Sequence, residues 1–281
     1  VFDLRTPDQL SIELHQGIMS GTLFTGATPL DLIEAYTRTS GRMPAPPSWL
    51  DRGAIVGMQG GTRAVERMGE ELSAHGAPVA AYWLQDWVGA RRTSIGEQLW
   101  WNWEVDLERY PGWDELVDRL EGEGVKVLTY LNPFLIDPKE KGSFERNLHQ
   151  EALESGYLVR KPDGSPYPIL NTSFSASLVD LTNPQAWEWL KGVIKTQLLG
   201  SGASGWMADF GEALPFDAKL HDGRDAALYH NQYPEDWARL NREAVQEAGR
   251  EGDILFFTRS GYTRSPRYST LFWMGDQLTA W

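Results

Sequence analysis

Two stretches of the sequence put a carboxylate where chemistry is to be expected. Gly205-Trp206-Met207-Ala208-Asp209-Phe210-Gly211-Glu212 and Trp273-Met274-Gly275-Asp276-Gln277 each run from apolar residues into an Asp. An ionised carboxylate is costly to bury, so an Asp at the end of a buried strand needs hydrogen bonds, a ligand or a reaction. A cap on the following helix explains one such residue. Two of them, at the ends of separate strands of one barrel, are harder to explain as caps. Carboxylates facing each other across a barrel mouth suit glycoside hydrolysis, one as nucleophile and the other as general acid/base. The aromatic residues point the same way. Of 13 Trp, five fall between Trp83 and Trp103. A flat ring face stacks on the C–H face of a pyranose, although the same rings also serve as ordinary core packing.

The elements that must position these residues alternate along the chain. Apolar runs lie at Ala54–Met58, Pro78–Leu84, Val125–Leu131, Trp206–Ala208, Ile254–Thr258 and Thr270–Gly275. Helical patterns fall between them at about 64–75, 113–123, 184–199 and 234–249. Strands separated by helices at this spacing predict βαβ units and a parallel sheet. Nearly every run is followed by a polar residue: Gln59, Gln85-Asp86, Asn132, Asp209, Arg259, Asp276. In a (β/α)8 barrel these positions converge on the C-terminal mouth. A doubly wound sheet fits the alternation too, but neither GxGxxG nor GxxxxGK[ST] occurs. The fold expected is an α/β TIM barrel that ends after about its sixth strand. Residues 1–45 read as the end of a β-domain and a linking helix, Leu30–Ser40, capped by Thr28 before Pro29. The barrel follows over 46–281, after the proline-rich stretch Gly41–Pro47. Val1 opens inside strand-like material and Trp281 closely follows the last run. The chain is therefore expected to be part of a longer protein, and an open six-stranded barrel to aggregate when expressed alone.

At the level of these segments the sequence resembles glycoside hydrolase family 31, the retaining α-glucosidase family, and within it most the sulfoquinovosidase branch. The resemblance rests on Gly26-Ala27-Thr28-Pro29-Leu30, Gln85-Asp86-Trp87 through Trp101-Asn102-Trp103, Tyr130-Leu131-Asn132-Pro133 and Val179 to Pro184. It continues through Gly205 to Pro215, Phe256 to Gly261 and Tyr268 to Gln277. It implies an exo-acting retaining α-glycosidase with a β-sandwich before the barrel, of which residues 1–28 would be the tail. By position, Asp209 is similar to the nucleophile and Asp276 to the general acid/base. Arg259 is similar to the arginine beside the nucleophile, and it is expected to keep Asp209 ionised. Gln59 and Gln85 resemble a glutamine pair used on sugar hydroxyls, and Trp101 the tryptophan of a sulfonate pocket. Asp86, Gln98, Trp206 and Trp273 are expected to line the substrate site with them. For a retaining reaction the two carboxyl groups stand ~5–5.5 Å apart. One departure bears on the substrate. The branch places a sulfonate-binding arginine three residues before its tryptophan, and here that position is Gln98. A neutral amide supplies no charge, and charge-assisted bonds are roughly twice as strong as neutral ones. Neutral sugars, as for an α-glucosidase or α-xylosidase, are the alternative. Arg91 and Arg92 are the nearby cations able to replace the missing one.

Composition narrows the other classes. Lys+Arg 26 against Asp+Glu 39 gives a net charge of −13, which argues against nucleic acid or an anionic membrane as partner. A small-molecule carbohydrate is the partner expected, with no cofactor. No apolar run approaches the ~20 residues of a membrane span. With no Cys and five His that form neither HxH nor HExxH, a metal-dependent hydrolase is not expected. A non-catalytic sugar-binding module would explain the Trp cluster but not two strand-end Asp residues with an Arg between them. Of the compartments, the cytoplasm is expected ahead of export.

Overall fold

The computed structural model describes residues 2–13, 15 and 17–277. Contacts divide the chain into two compact units, Val1–Thr39 and Ser40–Trp281. In the first, Phe2–Thr6 and Gln9–Ile12 form an antiparallel hairpin, and a helix runs over Pro29–Ser40. That helix starts in a reciprocal cap: Thr28 Oγ1 accepts from the Asp31 amide at 3.3 Å, and the Asp31 carboxylate accepts from the Thr28 amide at 2.8 Å.

The second unit is built on β1 (Ala54–Met58), β2 (Val79–Leu84), β3 (Lys126–Leu131), β4 (Gly205–Ala208), β5 (Leu255–Thr258) and β6 (Leu271–Phe272). These pair in chain order, all parallel, and the sheet curls into six strands of a TIM barrel. The longer helices between them are α1 (Thr62–Ala74), α2 (Trp113–Gly122), α3 (Pro184–Val193) and α4 (Tyr233–Glu247). Valine, isoleucine, leucine and aromatic residues dominate the strands because a parallel sheet under helices is buried on both faces. Pro184 and Asn183 start α3 by local chemistry: the Asn183 side chain accepts from the Gln185 amide at 2.9 Å, and proline occupies the first turn.

Side chains alternate across each strand, and this phase decides which residues reach the mouth. Trp83, Phe257 and Trp273 meet on the inner face, with ring centroids 5.5 to 6.1 Å apart. Trp206 and Phe256 stack on the helix side, with centroids 6.1 Å apart and planes 12° from parallel. At the opposite end of the barrel Trp49, from a short helical turn at Ser48–Arg52, donates its indole N–H to the Asp253 carbonyl at 2.8 Å. Two insertions follow the strand ends. One is an antiparallel hairpin of Ala90–Thr93 and Gly96–Leu99, in which Arg91 lies opposite Gln98. The other is a three-stranded sheet of Phe134–Leu135, Phe174–Leu178 and Pro168–Asn171. Sequence pattern reads Tyr157–Pro168 as a turn insertion only; the neighbouring strands, which bring in Phe174, lie beyond that reading.

Candidate active site

Asp209 follows β4 on the inward phase, and its amide donates to the Leu131 carbonyl at 2.8 Å, which continues the β3–β4 ladder by one step. The residue is 5 % exposed. Tyr130 of β3 donates its hydroxyl hydrogen to Asp209 Oδ2 at 2.5 Å. Arg259 brings Nε to 3.2 Å from Oδ1, an ion pair whose geometry is not that of a hydrogen bond, so Oδ1 has no hydrogen-bond partner among the described residues. Burial pushes the Asp209 carboxyl above the ordinary aspartate range, against the opposing pull of the Tyr130 bond and the Arg259 charge. The Arg259 charge acts in the expected direction, towards the ionised form, but does not outweigh burial.

Arg259 is shared. Its Nε and Nη2 both donate to Glu212 Oε1, at 3.1 and 2.5 Å, and the guanidinium lies 4.0 Å over the Phe210 ring. Glu212 thereby supports the loop after Asp209. Phe210 adopts a left-handed backbone at φ 56°, which costs a non-glycine residue about 1–2 kcal/mol. Its carbonyl accepts from Ser260 Oγ at 2.5 Å. Gly211 comes next at φ 110°, and a Cβ there would stand 2.8 Å from that same Oγ. This tight turn brings Glu212 back onto Arg259.

At the end of β6, Trp273 donates its indole N–H to Asp276 Oδ1 at 3.2 Å, and Asp276 is exposed. Trp273 packs on Trp83 and Phe257, which anchors this carboxylate to the inner face. Gln59 and Gln85, from the ends of β1 and β2, meet directly, with Gln59 Nε2 donating to Gln85 Oε1 at 2.8 Å. Trp101 is 6 % exposed and wedged among Phe134, Phe174 and Phe210 at 5.1 to 5.5 Å. Gln98 shares a hairpin face with Arg91, whose half-buried guanidinium lies 4.5 Å from the Trp100 ring and 4.3 Å from that of Phe174. Phe174 therefore touches both Arg91 and Trp101.

Two expected substrate contacts are not where the sequence put them. Trp206 is fully buried on the helix side, stacked on Phe256 and donating Nε1 to Asn241 of α4 at 2.8 Å. It stands an odd number of residues from Asp209, so strand alternation turns it away from the mouth. Asp86 is 1 % exposed, and its oxygens are taken by the Gly60 amide at 2.8 Å, by Arg109 Nε and by the Tyr110 hydroxyl. It ties the loops after β1 and β2 together and so sets Gln59 and Gln85 in place. Tyr130, in contact with Asp209, carries no expected role from sequence beyond its place in the segment Tyr130-Leu131-Asn132-Pro133; its even spacing from Asn132 on an inward phase is the available signal. Among the described residues no group of three or more His, Asp or Glu is placed to hold a metal ion.

With this geometry in view, comparison with known proteins fixes the kinship. The family description "Glycosyl hydrolases family 31 TIM-barrel domain" matches residues 46–281. The chain belongs to glycoside hydrolase family 31. Among family 31 relatives, the sulfoquinovosidase of Escherichia coli (strain K12) is 39% identical over 280 residues, which is 100% of this chain and 40% of that protein. The sulfoquinovosidase of Agrobacterium fabrum is 37% identical over 99% of this chain and 41% of its own length. A family 31 sulfoquinovosidase from E. rectale, solved with the aza-sugar inhibitor IFGSQ, matches with a TM-score of 0.84 at 41% identity, covering 90% of this chain and 37% of that one. The chain thus spans about two fifths of the length of these relatives.

Proposed function

We propose that the protein of which this chain is part is a retaining α-glycoside hydrolase acting on α-sulfoquinovosides by double displacement. The reading is carried by Asp209, a buried carboxylate at a barrel strand end, bonded by a phenol on one oxygen and faced by an arginine on the other. Asp209 attacks the anomeric carbon as Asp276 protonates the leaving oxygen; Asp276 then takes a proton from the water that releases the sugar. Gln59 and Gln85 bind sugar hydroxyls, and Arg259 stabilises the ionised Asp209. The sulfonate lies by Trp101 and Gln98. Arg91 supplies the charge that Gln98 lacks: it stands opposite Gln98, has no ion pair among the described residues, and its Nη1 is buried without a hydrogen-bond partner. Likeness to sulfoquinovosidases over nearly the whole chain supports this choice.

A second reading, hydrolysis of neutral α-glucosides or α-xylosides, is favoured by Gln98 itself. The test compares kcat/KM on aryl α-sulfoquinovoside and aryl α-glucoside for the full-length enzyme, Gln98→Arg and Arg91→Met. Preference for the sulfonate in the wild type, lost in Arg91→Met, is the expected result. Preference for the glucoside, reversed in Gln98→Arg, establishes the second reading instead.

A further inference from the structure

Asp209 has two chemically different oxygens, and the hydrogen bonds behind them have only one possible direction. The Phe134 amide, which can only donate, gives its hydrogen to Asn132 Oδ1 at 2.9 Å. That fixes the amide of Asn132, so its Nδ2 faces Tyr130 and donates to the phenol oxygen at 3.2 Å. The Tyr130 hydrogen is then left for Asp209 Oδ2. Asn132 is fully buried and Tyr130 is 3 % exposed, so water does not compete for these bonds. Burial also holds the phenol well above its ordinary pKa, which keeps the hydrogen on it. Strand pairing supplies the registration: Tyr130 stands beside Met207 and Leu131 beside Ala208, one step before Asp209.

We propose that Tyr130 is a positioning residue that divides the work of Asp209, holding Oδ2 throughout turnover and leaving Oδ1 to attack the anomeric carbon. The proposal rests on the reading of Asp209 as nucleophile. In the first step the Oδ1–C1 bond forms as the C1–aglycone bond breaks. The leaving oxygen takes the proton of Asp276, and Oδ2 becomes the ester carbonyl oxygen, still accepting from Tyr130. In the second step water adds to C1, its proton goes to Asp276, and the Oδ1–C1 bond breaks to return the carboxylate. A donor on Oδ2 is stronger towards a carboxylate than towards an ester carbonyl. Tyr130 therefore favours the second step, in which Asp209 leaves as an anion.

The experiment uses the full-length enzyme and an activated aryl α-glycoside. In Tyr130→Phe, kcat falls about tenfold or more while KM falls with it, and a burst of aryl release marks accumulation of the glycosyl-enzyme. The acid limb of kcat/KM moves to higher pH. Should Tyr130→Phe fold poorly, 3,5-difluorotyrosine at the same position keeps the shape and strengthens the donor, and it moves that limb to lower pH. Equal losses in kcat and kcat/KM with unmoved pH limbs, or no loss at all, overturn the proposal. Asp209→Ala with azide separates the two readings. Restored turnover to a glycosyl azide of inverted configuration shows that Asp209 is the nucleophile, so that an unchanged Tyr130→Phe refutes the positioning role alone. Failure of azide to restore turnover removes the nucleophile assignment, and the role of Tyr130 falls with it.

Discussion

Replacing Asp86 distinguishes a structural tie from a substrate contact, and the cost follows from its partners. Asp86→Ala leaves the Gly60 amide, Arg109 Nε and the Tyr110 hydroxyl without this acceptor, while Arg109 Nη2 keeps Glu97 at 3.5 Å. All three bonds end on the Asp86 carboxylate, and a bond to a charged group contributes about 1.5–3 kcal/mol, so the sum is about 4.5–9 kcal/mol. Breaking a buried ion pair from one side independently gives about 3–5 kcal/mol. The Asp86 side chain is 1% exposed and that of Arg109 is 26% exposed, so solvent recovers only part of this loss. Asp86→Asn keeps the volume but turns one acceptor into a donor, and about half the cost is expected. Urea unfolding of the full-length enzyme measures both, alongside KM and kcat on an aryl α-glycoside. With the loops loosened, Gln59 and Gln85 drift and KM rises in step with the loss of stability. Unchanged stability in Asp86→Asn together with a large rise in KM would refute this reasoning, because it is the signature of a residue that touches the sugar.

Other outcomes follow from the same geometry. Trp206→Phe leaves the buried Asn241 Oδ1 without its donor and costs about 2 kcal/mol in urea unfolding, while kcat and KM stay within about twofold of wild type. Because burial raises the Asp209 carboxyl, the acid limb of kcat/KM lies above the pH at which an ordinary aspartate ionises, and Arg259→Met moves it higher still. The sign for stability is consistent with this. A carboxyl with a raised folded-state pKa contributes stability below its unfolded pKa and loses it as pH rises through the folded one, so Asp209→Asn flattens that part of the stability–pH curve.

Much of this architecture was legible in the residues. Each of the six apolar runs holds a parallel strand, and Gln59, Gln85, Asp209 and Arg259 directly follow theirs, whereas the sixth strand, Leu271–Phe272, ends four residues before Asp276. Trp206 and Asp86 depart from the expectation for different reasons. Strand alternation turns Trp206 away from the mouth, whereas Asp86 lies in the turn after β2, where the Gly60 amide, Arg109 and Tyr110 occupy its carboxylate. Other features arise from contacts distant in sequence. Nothing local marks Phe174 as the neighbour of Arg91 and Trp101, since it arrives on a strand paired with Phe134–Leu135. The left-handed backbone at Phe210 is equally invisible, because Phe is not a residue that favours it and the Ser260 bond that secures it lies 50 positions away.

Pairing of the barrel strands in chain order has a consequence for how the protein is made. Each strand of the wall needs only the strand that precedes it, so the sheet can lengthen at one side as the chain leaves the ribosome, without waiting for a distant partner. The bond from Trp49 to the Asp253 carbonyl breaks that order by joining positions 204 residues apart. It is a late event by construction. The wall grows by addition to its neighbour, and the floor beneath it is sealed only when the fifth strand has been synthesised.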